Sequence, residues 1–90
     1  MAQIIIPSAL RAFTNQQAKL EAPGHTVGDV LNDLTRRFPE LRRHLLDEHG
    51  RLRKFVNVFV GNEEIRSLQN EATPVGVSDE VSIVPSVAGG

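Results

Sequence analysis

The chain has 90 residues with 10 Lys and Arg against 11 Asp and Glu, and a formal charge of −1. That is the size of one small domain, and its near-neutral balance gives no overall drive toward nucleic acid or an anionic membrane. There is no cysteine, which excludes disulfides, thiolate metal sites and thiol nucleophiles within the chain. No apolar run approaches the length of a membrane span, and the N-terminus lacks a basic region followed by an apolar stretch, so a cytoplasmic location is the expectation.

Taken in order, Ala2-Gln3-Ile4-Ile5-Ile6 is β-branched and closed by Pro7, which predicts a first strand. Leu10, Arg11 and Phe13 lead into Thr14-Asn15-Gln16-Gln17, read as a hairpin connection to a second strand, Ala18 to Ala22. Pro23-Gly24 breaks that strand. Thr26 followed by Asp29 has the form of a capping box, and Val27, Val30, Leu31, Leu34 and Phe38 recur at helical offsets as one apolar stripe. Pro39 ends this helix at Phe38. A short second helix is expected over Glu40 to Leu46, burying Leu41, Leu45 and Leu46, with Gly50 marking its exit.

Phe55 to Val60 reads as a strand in which Val56, Val58 and Val60 share one face and Phe55, Asn57 and Phe59 the other. Gly61-Asn62 predicts a turn into a short strand, Glu63 to Arg66, and Leu68 to Ser78 reads as loop. Asp79-Glu80 opens a final strand with Val81 and Ile83 on one side and Ser82 and Val84 on the other. One long helix with a mixed sheet of about five strands is satisfied by an α+β, β-grasp (ubiquitin-like) arrangement with the helix on one sheet face. Its first and last strands then lie parallel at the centre. The whole chain, 1–90, is read as one domain, with 86–90 as a flexible reactive tail.

The internal inventory offers little chemistry. Arg36, Arg37, Arg42, Arg43, Arg51, Arg53 and Lys54 cluster, but Glu40, Asp47 and Glu48 interrupt them and no aromatic platform accompanies them, so a solvated face is expected. Some of these cations can steer an acidic partner. His44 and His49 lack the one-face spacing of a helical metal pair, and no metal site is expected. The serines have no nucleophile-elbow context, and the scattered carboxylates form no spaced pair.

The tail carries more. Val87-Ala88-Gly89-Gly90 is nearly free of side chains, and from Pro85 to the end it can reach roughly 17 Å at about 3.3 Å per residue, enough to thread a narrow channel in a partner. A terminal carboxylate is ionised at neutral pH and needs activation by another enzyme before it reacts. The sheet face without a helix is expected to form an apolar docking patch, with Phe55, Phe59 and Val84 as its candidates.

The ending Asp79-Glu80-Val81-Ser82-Ile83-Val84-Pro85-Ser86-Val87-Ala88-Gly89-Gly90 resembles the terminus of the ThiS/MoaD sulfur-carrier family. The stretch Leu52 to Arg66 is most similar to the CysO branch, which serves cysteine biosynthesis, and Ile6-Pro7 and Leu10-Arg11 extend the resemblance across the chain. Ser78 departs from the pattern, standing where family members often have Gly. The resemblance implies a carrier, not an enzyme. An E1-like enzyme would use ATP and Mg²⁺ to adenylate Gly90, and a sulfur donor would displace AMP to leave a Gly90 thiocarboxylate, with Val87, Ala88 and Gly89 lying in the partner's channel. In the cysteine branch the thiocarboxylate would attack an aminoacrylate held by a pyridoxal-phosphate-dependent cysteine synthase, and a metallopeptidase would release cysteine. Sulfur delivery to molybdopterin or thiamine, a ubiquitin-like modifier joined to lysines through Gly90, and a β-grasp interaction module with an inert Gly89-Gly90 end are the alternatives; nucleic acid and membrane are not implied partners.

Overall fold

The computed structural model describes residues 1–85. Five strands, β1 (Ala2–Ile5), β2 (Lys19–Ala22), β3 (Val56–Val60), β4 (Glu63–Glu64) and β5 (Glu80–Pro85), form one mixed sheet in the order β2-β1-β5-β3-β4. β1 and β5 are parallel, with Ile4 opposite Val81, and every other pairing is antiparallel. The last strand therefore occupies the middle of the sheet, as the β-grasp expectation requires.

Side chains alternate across the sheet, so each strand gives every second residue to the core. Ala2, Ile4, Ala22, Val58, Val81 and Ile83 are buried on one face. Against them lies α1 (Val27–Arg37), whose Val27, Val30 and Leu34 are 0% exposed, so the apolar stripe seen in the sequence is the core stripe. Burying each such side chain contributes roughly 1.5 to 3 kcal/mol. Thr26 caps α1 by accepting the Asp29 amide at its Oγ1 (3.1 Å), while Asp29 Oδ2 accepts the amide of His25 (3.1 Å), one residue before the cap. Gly24 makes this entry feasible: its φ is +142°, and a Cβ there would stand 2.5 Å from the Asp29 Cβ.

Phe38 stands just outside α1 with non-helical backbone (φ −127°, ψ 81°), since the following proline disfavours helical geometry there. α2 (Pro39–Leu45) follows at once and buries Leu41 and Leu45. It ends before Gly50, which belongs instead to a turn in which Asp47 N donates to Arg51 O (2.8 Å) and Gly50 N to Asp47 O (3.0 Å).

Three short 3₁₀ segments, Ser8–Phe13, Ile65–Ser67 and Asn70–Ala72, replace what reads in the sequence as connection, strand end and loop. The expected strand through Arg66 stops at Glu64, because Glu64 Oε2 accepts the Arg66 amide (3.0 Å) and caps a 3₁₀ turn that sends Ile65 into the core. Ser78, the departure from the family pattern, does not have a positive φ. The turn is closed by Asp79 instead, whose Oδ2 accepts the Gly76 amide at 2.7 Å, so no glycine is required at position 78.

Candidate functional site

The sheet face opposite α1 is set by strand register. Ser82 of β5 lies between Ile5 of β1 and Phe59 of β3, and Val84 lies opposite Asn57. Phe59 is half-buried, and Val84 is 45% exposed. The structure brings these two candidates onto one uncovered face.

Phe55 is placed differently. β3 begins at Val56, and Phe55 sits in the preceding turn, closed by Val56 N donating to Arg53 O (3.1 Å). It is 55% exposed, and it borders a cleft of about 380 Å³ whose apolar wall is formed by Leu52, Val56 and Pro85. His44, Asp47, Arg53 and Lys54 complete the lining. Pro85 pairs with Val56 across the sheet, so the cleft opens where the described chain ends. Val87, Ala88, Gly89 and Gly90, the expected reactive and channel residues, lie outside the described residues.

A single arginine holds the Phe55 turn. Arg66 Nη2 donates to the carbonyls of Arg53 (3.1 Å), Lys54 (3.3 Å) and Val56 (3.0 Å), and its Nη1 donates to Asn57 Oδ1 (2.8 Å). The planar guanidinium can serve all four acceptors because its donors form a rigid fork. Glu64 Oε2 lies 3.8 Å away and completes the charge balance. The turn is thereby fixed from the β4 side, and Lys54 and Phe55 project from it.

Asp47, on the other rim of the cleft, is spent on its own loop. Its Oδ1 accepts the amides of His49 (2.8 Å) and Arg51 (3.0 Å). These bonds, that from Arg51 foremost, outweigh desolvation and hold its carboxyl below the ordinary aspartate value of 3.8. His44 stacks on Phe13 with ring centroids 4.3 Å apart. Its Nε2 is buried without a hydrogen-bond partner among the described residues.

The basic cluster divides by location. Asp33, buried in α1, takes Arg36 Nη2 at 2.7 Å and Arg37 Nε at 2.9 Å, the second as an ion pair without hydrogen-bond alignment. Arg37 Nη2 also donates to Glu21 O (2.8 Å), tying α1 to the edge strand β2. Arg43 pairs with Glu40 at 3.3 Å on an exposed helix surface, a contact of little energetic weight. Arg53 Nε donates to Arg43 O (2.8 Å), and Arg53 and Lys54 line the cleft together with Phe55. Among the described residues no group of three or more His, Cys, Asp or Glu could hold a metal ion, and no helix is long and apolar enough to cross a membrane.

Sequence reasoning missed Arg66 and the Asp47 loop. Arg66 serves carbonyls 10 to 13 residues away, and no spacing rule marks a donor to backbone carbonyls. Its only sequence signal was a cation two residues after a short strand of two acids.

A model of the ThiS family matches residues 4–90. The chain is 37% identical over 89 residues to the sulfur carrier protein CysO of Mycobacterium tuberculosis (strain ATCC 25618 / H37Rv), covering 97% of this chain and 96% of that one. It superposes on a chain of the crystal structure of the Amycolatopsis orientalis BexX/CysO complex with a TM-score of 0.90 and 32% identity, over 100% of both chains. It is also similar to the small archaeal modifier protein 1 (SAMP1) of Methanosarcina acetivorans, with a TM-score of 0.86, 29% identity and coverage of 99% and 95%.

Proposed function

Because the chain belongs to the ThiS family, we propose that it is a sulfur carrier whose Gly90 carboxylate is adenylated by an E1-like enzyme and then converted to a thiocarboxylate. The observation that carries this reading is the family match running through the Gly-Gly end, on a scaffold whose central strand β5 leads directly to that end. A carboxylate is a poor electrophile. Joining it to AMP gives a mixed anhydride with a good leaving group, and ATP with Mg²⁺ on the activating enzyme supplies that group. A sulfur donor then attacks the Gly90 carbonyl carbon and AMP leaves with the bonding pair. The chain's own part is to present the tail and to dock. It has no cysteine, so any sulfur it carries covalently as an acyl group rides on Gly90.

The likeness to CysO favours cysteine biosynthesis as the destination. There the thiocarboxylate sulfur adds to an aminoacrylate on a pyridoxal-phosphate-dependent synthase, and a metallopeptidase later cleaves the carrier from the new cysteine. Val87, Ala88 and Gly89 line the route into each partner, and Phe59 and Val84 contribute the sheet face to docking.

The test is intact-mass analysis after incubation with the E1-like enzyme, ATP and a sulfur source, followed by O-phosphoserine and the synthase. The carrier reading expects a gain equal to one oxygen-for-sulfur exchange and then a cysteine adduct. Thiocarboxylate without the adduct would redirect the sulfur to molybdopterin or thiamine synthesis. The likeness to an archaeal modifier protein supports a second reading, conjugation of Gly90 to protein lysines. Isopeptide-linked conjugates in cell extract, resistant to thiol and mild base, would favour it.

A further inference from the structure

We infer that the cleft beside Pro85 is where the activating enzyme anchors, and that this enzyme presents an apolar pocket for Phe55 bordered by carboxylates for Lys54 and Arg53. The inference rests on the carrier reading above and names the docking chemistry that the reading leaves open.

Place is the first argument. Pro85 lines the cleft, and the residues after it span at most roughly 17 Å at about 3.3 Å each. An enzyme that takes Gly90 into a buried site must bring its surface close to Pro85, and so to Phe55 and Lys54.

Preorganisation is the second. Phe55 is an aromatic more than half exposed on a turn held by three carbonyl bonds from Arg66. An exposed side chain on a fixed turn loses little freedom on binding, and aromatic anchors in desolvated pockets dominate interface energies. The Leu52, Val56 and Pro85 wall behind it extends the apolar contact.

Charge is the third. Among the described residues Asp47 is the one carboxylate lining the cleft, against Arg53 and Lys54, and its Oδ1 is occupied by the His49 and Arg51 amides. Lys54 has no ion pair or side-chain hydrogen bond among the described residues, and Arg53 uses only Nε internally. The rim is therefore basic in a chain of net charge −1. Such a local excess steers an acidic partner surface and fixes its orientation.

The test measures ATP–pyrophosphate exchange by the cognate E1-like enzyme as a function of carrier concentration. Phe55→Ala and Lys54→Glu should each raise KM by about tenfold or more with kcat within about twofold, because the lost contact is made equally in ground and transition states. Asn32→Glu, an added negative charge at an exposed position of α1 on the other side of the sheet, should change neither. Added salt should raise KM for the wild type more than for Lys54→Glu. Far-UV circular dichroism melts confirm that each variant folds; both side chains are exposed. Phe55→Ala and Lys54→Glu behaving like Asn32→Glu, while the wild type turns over normally, would overturn the docking inference alone. No exchange with the wild type would overturn the carrier reading and this inference together. Oligonucleotide binding abolished by Lys54→Glu, with KM unchanged, would assign the basic rim to nucleic acid instead.

Discussion

Arg66→Ala removes one side chain that serves four acceptors, and the structure sets the scale of the loss. The guanidinium donates to the carbonyls of Arg53, Lys54 and Val56 and to Asn57 Oδ1 at 2.8 to 3.3 Å. A hydrogen bond from a charged donor contributes about 1.5 to 3 kcal/mol when desolvated. Here the Arg66 side chain is 37% exposed, and carbonyls left behind can turn to water, so the four bonds together are expected to contribute about 1 to 2 kcal/mol. For a domain of this size that corresponds to a fall in Tm of about 4 to 16 °C, read by a circular dichroism melt. Amide exchange should quicken at Val56 and around the 53–55 turn while the α1 amides stay protected. Arg66→Lys keeps the charge but not the fork, and should recover less than half of the loss. A melt within about 1 °C of wild type, well below the range expected for such a loss, or full rescue by Lys, would refute the view that geometry at Arg66 holds the turn.

Other perturbations test the supporting scaffold. Thr26→Ala removes the acceptor for the Asp29 amide and should cost about 1 kcal/mol in urea unfolding. Gly24→Ala should be at least as damaging, since φ is +142° and the new Cβ would meet Asp29 at 2.5 Å; an unchanged midpoint would show that the turn relaxes freely. Leu34→Ala, at a 0% exposed core position, should cost about 2 to 5 kcal/mol with the denaturant slope unchanged. The Asp47 carboxyl is held below 3.8 in the folded chain, so its contribution is complete above that value and is lost as pH falls through the folded pKa. In an NMR titration the His49 and Arg51 amide shifts should move together below pH 3.8 and stay fixed above it, and Asp47→Asn should abolish that step.

The fold was legible where a residue's partner class follows from period. The α1 stripe from Val27 to Leu34, the Pro39 break and the alternation of Val81 and Ile83 each report a face, and the structure places those faces against one another. The central parallel pair β1 and β5 was expected as part of the β-grasp arrangement chosen for one long helix and a mixed sheet, and the structure has it. The 3₁₀ segments were not legible, because pieces such as Ile65–Ser67 and Asn70–Ala72 are too short to show a period. Phe55 shares parity with Asn57 and Phe59 in the sequence, yet the Arg53 to Val56 turn takes it out of the strand. That turn depends on Arg66, and a long-range donor to carbonyls leaves no local trace. The arginines around Asp33 were read as solvated face, and their pairing onto one buried carboxylate depends on how deeply α1 is seated.

The central claim is that Gly90 is the sulfur-bearing position. Its most direct test is a paired intact-mass measurement on the full chain and on a variant lacking Gly90, each incubated with the E1-like enzyme, ATP and a sulfur source. The account predicts identical melting curves for the two proteins, an oxygen-for-sulfur mass gain on the full chain, and none on the variant. Thiocarboxylate on the chain lacking Gly90 would contradict it.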